Sequence, residues 1–440
     1  MSDGQPTNHR PWAWIPSLYL AEGLPNALTL FVSVVLYANL GLTVPEITFY
    51  TGWLYLPWVL KPLWSPLVDL LRTRRQWIWA LQLLLGGGLA GVALTIPAAH
   101  FVQWTLAFFW LVAFSSATHD IAADGFYLLA TTEREQSFFS GIRNTAYRVA
   151  NVCAQGGMVM LVGVLHDRTG NFVRAWSVTF GAMAVLLLML GLYHLVILPK
   201  PAGDRAGRHP PSTSSPSPAG VPAGSFWPEF LLTFRTFFQK PKILTLVLFL
   251  LLYRLGEAQL GPMAKIFLLG SRATGGLGLD NGQFGLIYGT LGVAAMMAGG
   301  LLGGWAVSRQ GLRFWLWPML LAIHLPDAVF IWLAYAQPAG LGWISAGVMV
   351  EQFGYGFGFT AFMMYMIYIA RGEHPTAHYA LCTGFMALGM MVPGQWSGWL
   401  AQQLGYPHFF VWVILATLPS FLVAARLPLE PEFGRRTETI

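Results

Sequence analysis

Six carboxylates, Glu22, Asp120, Asp124, Glu257, Asp327 and Glu351, and five bases, Lys61, Arg143, Arg148, Arg254 and Lys265, stand inside long apolar runs. An ionisable group at the centre of a membrane helix costs roughly 3 kcal/mol, so such groups face a partner or a wetted cavity. Their near-balance in sign points to pairing. Their chemistry is that of holding a proton or a charged solute, not of breaking a bond. Asp120 and Asp124 are four residues apart and share one helix face. Two acids that close repel and compete for a proton, which makes each a candidate carrier of a coupling proton. The structural alternative is an arginine partner for each that ties its helix to a neighbour. Glu257 and Glu22 complete the proton-coupling candidates. Arg254 and Glu257, three residues apart, are also spaced to pair with each other.

Solute contacts are read from a second pattern. Asn144, Arg148, Asn151 and Gln155 recur at i, i+4, i+7 and i+11 and lay a polar stripe along an apolar helix. Arg148 can fork two hydrogen bonds onto a carboxylate, or hold Asp120 instead. Glu22 is followed by Gly23 and Pro25, so its helix is expected to kink and free backbone groups toward a cavity. Arg254 holds the equivalent place in the second half. Lys265, Asp327 and Glu351 carry less signal, because Lys265 can snorkel and Asp327 follows Pro326 in a helix whose facing stays open. His119 lies about 100° round the helix from Asp120 and reads as a buried structural histidine.

Other chemistries lack their residues. No metal-ligand cluster and no Ser/His nucleophile arrangement is legible, so neither an enzyme, a cofactor nor a metal is expected. Cys153 and Cys382 each sit in an apolar run, which suits neither a disulfide framework nor zinc. Gly86-Gly87-Gly88 and Gly299-Gly300 lie mid-run with no strand before them and read as close helix contacts, not as phosphate loops. Aromatics such as Trp53, Tyr55, Trp58, Tyr355 and Tyr365 read as packing and interface anchors.

The elements that must position these groups follow from composition. The 440 residues are 55% hydrophobic and only 10% charged, against about a quarter charged in soluble proteins. Crossing about 30 Å of hydrocarbon takes some twenty apolar residues. Runs of that length fall near 13–39, 46–66, 76–96, 103–130, 138–165 and 174–198, and again near 242–269, 281–307, 313–336, 341–370, 376–404 and 408–427. The fold class expected is an all-α integral membrane protein of about twelve spans in two six-helix bundles, 1–198 and 242–440. With the N-terminus cytoplasmic, alternate loops collect basic clusters such as Arg72, Arg74 and Arg75, or Lys200 to Lys242. The far side carries only Arg168, Arg174 and Arg272, so both termini are expected in the cytoplasm. The net charge of +6 is thereby read as topology and not as nucleic-acid binding. The start, MSDGQPTNHRPWAW, lacks the pattern of a cleaved signal peptide. Residues 199–225, rich in Pro, Ser, Gly and Ala, read as a flexible linker; the aromatic and basic segment after it, within 199–241, reads as an interfacial helix.

Two loops at equivalent places resemble each other. Gly304-Trp305-Ala306-Val307-Ser308-Arg309-Gln310-Gly311-Leu312-Arg313 resembles the cytoplasmic loop signature of the major facilitator superfamily, with Ser308 where an acid is usual. Its first-half counterpart, Ser65 to Arg75, keeps Asp69 and the basic end Arg72, Arg74 and Arg75 but lacks the Gly and the base after Asp69. In that superfamily such loops latch the halves, which makes Asp69, Arg72, Arg74, Arg75, Gly304, Arg309, Gly311 and Arg313 gating candidates. Three stretches are similar to the anhydromuropeptide permease family, a branch shared with acetyl-coenzyme A transporters: Ala21 to Thr29, Lys61 to Asp69, and Ser115 to Gly125. Ala146-Tyr147-Arg148 and Leu252 to Ala258 continue the likeness. It departs at Glu22, where a small residue is commoner, and at His119, where Gln is expected. The resemblance implies proton-driven import of N-acetylglucosaminyl-anhydromuramic acid, with or without its peptide, across the plasma membrane by alternating access. The expected partners are a small-molecule solute, protons and the lipid bilayer, with a monomeric protein. Transport or export of another anionic, sugar-like or amphipathic solute is the alternative reading.

Overall fold

The computed structural model of the chain describes residues 10–201, 204, 226–372 and 375–435. The expected linker therefore lies almost wholly outside the described residues. Among those described there are helices and no strand. In chain order they are α1 Pro11–Asn39, α2 Val44–Trp53, α3 Leu56–Leu71, α4 Arg74–Thr95, α5 Phe101–Ala130, α6 133–169 and α7 Phe172–Ile197, then α8 Phe226–Phe238, α9 Ile243–Leu269, α10 Asn281–Gln310, α11 Leu312–Ala336, α12 Leu341–Ala370, α13 Pro375–Ala416 and α14 Leu418–Ala424. Several start where the sequence places a hydroxyl or carboxylate followed three residues later by Glu or Gln. Thr43 with Glu46, Thr73 with Gln76, Thr132 with Glu135 and Asp280 with Gln283 each form a reciprocal capping box.

Among the described residues, ten helical segments are long and apolar enough to cross a membrane. The difference from the twelve runs has two local causes. The run 46–66 is interrupted at Leu54 and Tyr55, leaving α2 and α3 each too short to be counted. The runs 376–404 and 408–427 stand as two helices on either side of a kink at Gly405, whose φ of 71° only glycine adopts without strain, and they follow one another so directly that they count as one segment. Proline and glycine reshape other spans as well. The kink expected after Glu22 takes another form: α1 passes through Pro25 and widens into π-type turns over Leu28–Val32. Similar turns occur at Cys153–Met158 in α6, and the two widened segments pack on each other.

The chain divides into two compact units. The first comprises residues 1–36 and 63–212 and is centred on Trp14, Tyr19, Ile78, Phe126 and Tyr127. The second comprises 37–62 and 213–440, with a core around Phe249, Tyr253, Met319, Phe362 and Tyr365. Within the second unit α2 lies along α13, where Gly398 N donates to Thr48 Oγ1 at 3.2 Å; from α10, Asn281 Nδ2 donates to Asn39 Oδ1 at 2.7 Å. The outward faces invert the soluble pattern. Leu244, Leu301 and Val196 are 71%, 75% and 81% exposed, whereas Glu22, Glu257, Asp327 and Glu351 are buried, as a hydrocarbon solvent demands.

Candidate functional site

In the first unit, α1, α5 and α6 bring polar groups together. Asp124 Oδ1 accepts a hydrogen bond from Arg143 Nη2 at 2.8 Å and from Tyr19 Oη at 3.2 Å. The Arg143 guanidinium lies 4.5 Å from the centre of the Tyr19 ring and 5.2 Å from that of Tyr127, a cation–π arrangement that adds to the ion pair. Glu22, one helical turn beyond Tyr19, is buried and within electrostatic reach of Tyr19 and Arg143. Gly23 makes this possible: a Cβ there would sit 2.8 Å from Ala150 Cβ and 2.9 Å from the Tyr147 carbonyl, so only glycine lets α1 approach α6 so closely. Asp120 stands one turn before Asp124 and is half-buried.

The polar stripe of α6 is graded in depth. Asn144 is exposed, Arg148 half-buried, and Asn151 and Gln155 buried. Asn151 Nδ2 donates to the Tyr147 carbonyl at 3.0 Å and Gln155 Nε2 to Asn151 Oδ1 at 3.4 Å. A neighbouring buried chain was not legible in the sequence. His194 Nδ1 lies 2.7 Å from Gln82 Oε1, His194 Nε2 lies 2.9 Å from Ser17 Oγ, and Gln82 Nε2 lies 2.9 Å from His119 Nε2. It ties α1, α4, α5 and α7 together; His119 beside Asp120 was the one visible signal.

In the second unit the break in α9 positions the charges. The helix Ile243–Leu252 ends, Arg254 caps the next segment, Leu255–Leu269, and Glu257 falls in its first turn. Arg254 Nη2 donates to Tyr355 Oη at 2.6 Å and its guanidinium sits 4.9 Å from the Phe359 ring centre. Tyr355, read as packing, thus holds a charged side chain. Asp327 is delivered by the tight turn Leu325–Asp327 that Pro326 imposes in α11. Ligand oxygens of Glu257, Asp327 and Glu351 all lie within 4.8 Å of one another, and all three residues are buried. Lys265 Nζ donates to the Gly261 carbonyl at 2.7 Å, lies 5.3 Å from the Tyr288 ring centre, and is within electrostatic reach of Glu257 and Glu351. The three residues with the weakest sequence signal therefore gather around Glu257. Their oxygens are the donor set among the described residues that could hold a metal ion.

The loop candidates are dispersed. Backbone N–H groups of Arg74 and Arg75, at the start of α4, donate to the Asp204 carboxylate at 2.7 and 3.0 Å. Arg75 Nε donates to the Leu198 carbonyl at 3.0 Å, and the Arg74 guanidinium occupies the space a side chain at Gly125 would need. Arg72 is exposed. Asp69 lies in α3, its side chain outside the described residues. Between α10 and α11, Gly311 has φ 82°, and a Cβ there would sit 3.3 Å from the carbonyl oxygens of Pro431 and Phe433; Leu312 N donates to Phe433 O at 2.8 Å. Arg309 lies 5.1 Å from the Trp305 ring centre, Arg313 is exposed, and Gly304 faces open space.

Comparison with known proteins places this geometry among transporters. The family model described as Major Facilitator Superfamily matches residues 17–394. The anhydromuropeptide permease of Escherichia coli K12 is 26% identical over 415 residues, which are 92% of this chain and 77% of the permease. Among solved structures, a bacterial homologue of the human lysosomal transporter Spinster, inward-facing and unoccupied, aligns with a TM-score of 0.69 at 16% identity, covering 96% of this chain and 98% of that one. The nucleoside transporter NupG aligns with a TM-score of 0.66 at 14% identity over 94% of this chain and 98% of its own. At those identities the structures speak for the fold alone.

Proposed function

This chain belongs to the major facilitator superfamily, and from that premise we propose that it is a secondary active transporter importing muropeptide-like solutes with protons, by alternating access. The observation that carries the reading is the likeness to the Escherichia coli anhydromuropeptide permease over 92% of the chain. Such solutes, an amino sugar joined to an anhydromuramic acid, bear carboxylates from the lactyl group or the peptide. Arg148 and Arg254 supply forked donors for a carboxylate, while Asn144, Asn151, Gln155 and Glu22 supply hydrogen-bonding groups for hydroxyls and amides.

Asp120, Asp124, Glu257 and Glu22 are the acids assigned to proton coupling. Arg143 suggests how a proton becomes a movement. With Asp124 ionised the guanidinium is held at 2.8 Å; a proton on Asp124 weakens that hold, and Glu22, also within electrostatic reach, becomes the competing partner. The loops around Asp69, Arg72, Arg74 and Arg75, and around Gly304, Arg309, Gly311 and Arg313, act as gates in this reading. The protein works as a monomer in the plasma membrane with both termini cytoplasmic.

The test is uptake of labelled N-acetylglucosaminyl-anhydromuramic acid into proteoliposomes, with and without an inward proton gradient. Gradient-driven accumulation that Arg148→Ala abolishes supports the reading. Absence of uptake by folded, inserted protein overturns the substrate assignment and leaves the fold in place.

A further inference from the structure

The acids of the second unit present a separate question, because more oxygen is buried there than the protein's own donors satisfy. Asp327 is 1% exposed, and among the described residues neither of its carboxylate oxygens has a hydrogen-bond partner; Glu257 Oε2 is in the same condition. Glu351 is 2% exposed, and its Oε2 accepts from Gln352 Nε2 at 2.9 Å. A buried carboxylate without partners is far costlier than one that is paired or bound to a metal. Three oxygens no more than 4.8 Å apart can all lie within about 2.8 Å of one central point, close to the 2.3–2.6 Å at which a hard cation such as calcium binds oxygen. A proton neutralises one carboxylate at a time and meets the oxygens one by one. A metal cation meets all three.

Charge selects the valence. The three carboxylates face two cations within electrostatic reach, Lys265 and Arg254, and the remaining neighbours, Tyr288, Tyr355 and Tyr55, are neutral. With all three carboxylates ionised one negative charge is left over, which a monovalent ion cancels and a divalent ion overshoots. The donors are all oxygens, the preference of hard ions. We therefore propose that Glu257, Asp327 and Glu351, contributed by α9, α11 and α12, form a buried sodium-ion site. It lies wholly within the second unit and does not depend on which solute the protein carries; it shares Glu257 with the acids assigned to proton coupling, so that sodium and a proton compete for that carboxylate.

Sodium binding is measured on the purified protein in detergent, with no solute present, at constant ionic strength in choline chloride. Replacing choline by sodium should raise the thermal unfolding midpoint saturably, by about 2 °C or more, and potassium should do so less. Glu351→Gln and Asp327→Asn should remove the sodium response. Binding of radiolabelled sodium, read directly by scintillation, should fall at least tenfold in the same variants, and either variant suffices if the other fails to fold. Equal midpoints in sodium and choline, an equal response in both variants and wild type, or a larger response to calcium than to sodium would each overturn the proposal. Because no transport is measured, failure of the muropeptide reading leaves this result untouched.

Discussion

Glycines that face each other across α10 and α12 should be irreplaceable for a steric reason that can be measured. A Cβ built on Gly356 lies 2.8 Å from the Met296 carbonyl carbon and closer still to its oxygen; one built on Gly299 lies 2.8 Å from Phe357 N and 3.1 Å from the Phe353 carbonyl carbon. The obstacles are backbone atoms, which cannot rotate away. Restoring a contact of about 3.5 Å means parting the helices by at least about 0.7 Å, and a gap of that size forfeits a quarter to a half of each dispersion contact along the seam. Overpacking of this kind costs about 1–3 kcal/mol. Gly299→Ala and Gly356→Ala should therefore each lower the unfolding midpoint by several degrees, at roughly 2–4 °C per kcal/mol. In the double variant one separation serves both methyl groups, so the loss should fall short of the sum by about 1 kcal/mol. Gly304, on the same helix, faces open space; Gly304→Ala should stabilise by about 0.5–1 kcal/mol through helix propensity alone. Thermal unfolding in detergent, followed by tryptophan fluorescence, measures the four variants against the wild type. If Gly304→Ala is as harmful as Gly299→Ala and the paired losses simply add, close approach is not what these glycines provide.

Other perturbations separate structural from functional roles. Asp124→Asn breaks the pair with Arg143, whose side chains are 47% and 29% exposed; after allowing for solvent screening the stability loss should be about 1 kcal/mol or less, while uptake should lose its response to the proton gradient. An unchanged response would remove Asp124 from the coupling set. Gln82→Leu removes the hydrogen bonds that Gln82 makes to His194 and to His119 and should cost about 2 kcal/mol or more in thermal unfolding; Ser17→Ala should cost about half as much. Tyr355→Phe deletes the acceptor of Arg254, so the KM for uptake should change several-fold while the unfolding midpoint moves little; the reverse pattern would make Arg254 a packing residue. Asp204→Ala removes the acceptor of two backbone N–H groups at the start of α4 and should destabilise by about 1 kcal/mol, read as a lower unfolding midpoint.

Local chemistry settled much of this protein in one dimension. Length and apolarity set the spans, since a backbone in hydrocarbon must satisfy itself as helix. Short-range patterns set the capping boxes at Thr43, Thr73, Thr132 and Asp280, and glycine runs marked helix contacts such as those at Gly86 and Gly299. The four-residue spacing of Asp120 and Asp124 was equally visible, because both lie on one helix. Breaks were read unevenly: the runs 376–404 and 408–427 part where Gly405 breaks the helix, whereas 46–66 reads as one run although Gly52 and Pro57 flank the interruption at Leu54 and Tyr55.

Contacts between helices belong to the tertiary structure. Asp327 and Glu351 lie 70 and 94 residues beyond Glu257, on spans whose rotation about their own axes no local pattern fixed, since helices apolar on every side carry little moment to orient them. The partners of Asp124 and Arg254 were open for the same reason, as was the role of Tyr355. Residues 37–62 pack with the second unit because α2 meets α13, a choice made by side-chain complementarity far along the chain. The sequence by itself determined which stretches are apolar enough to form long helices and which charges stand within them. Only the tertiary structure decided which of those charges share a neighbourhood, because that depends on helix rotation and packing, which are set by contacts between segments and not by the order of residues within one.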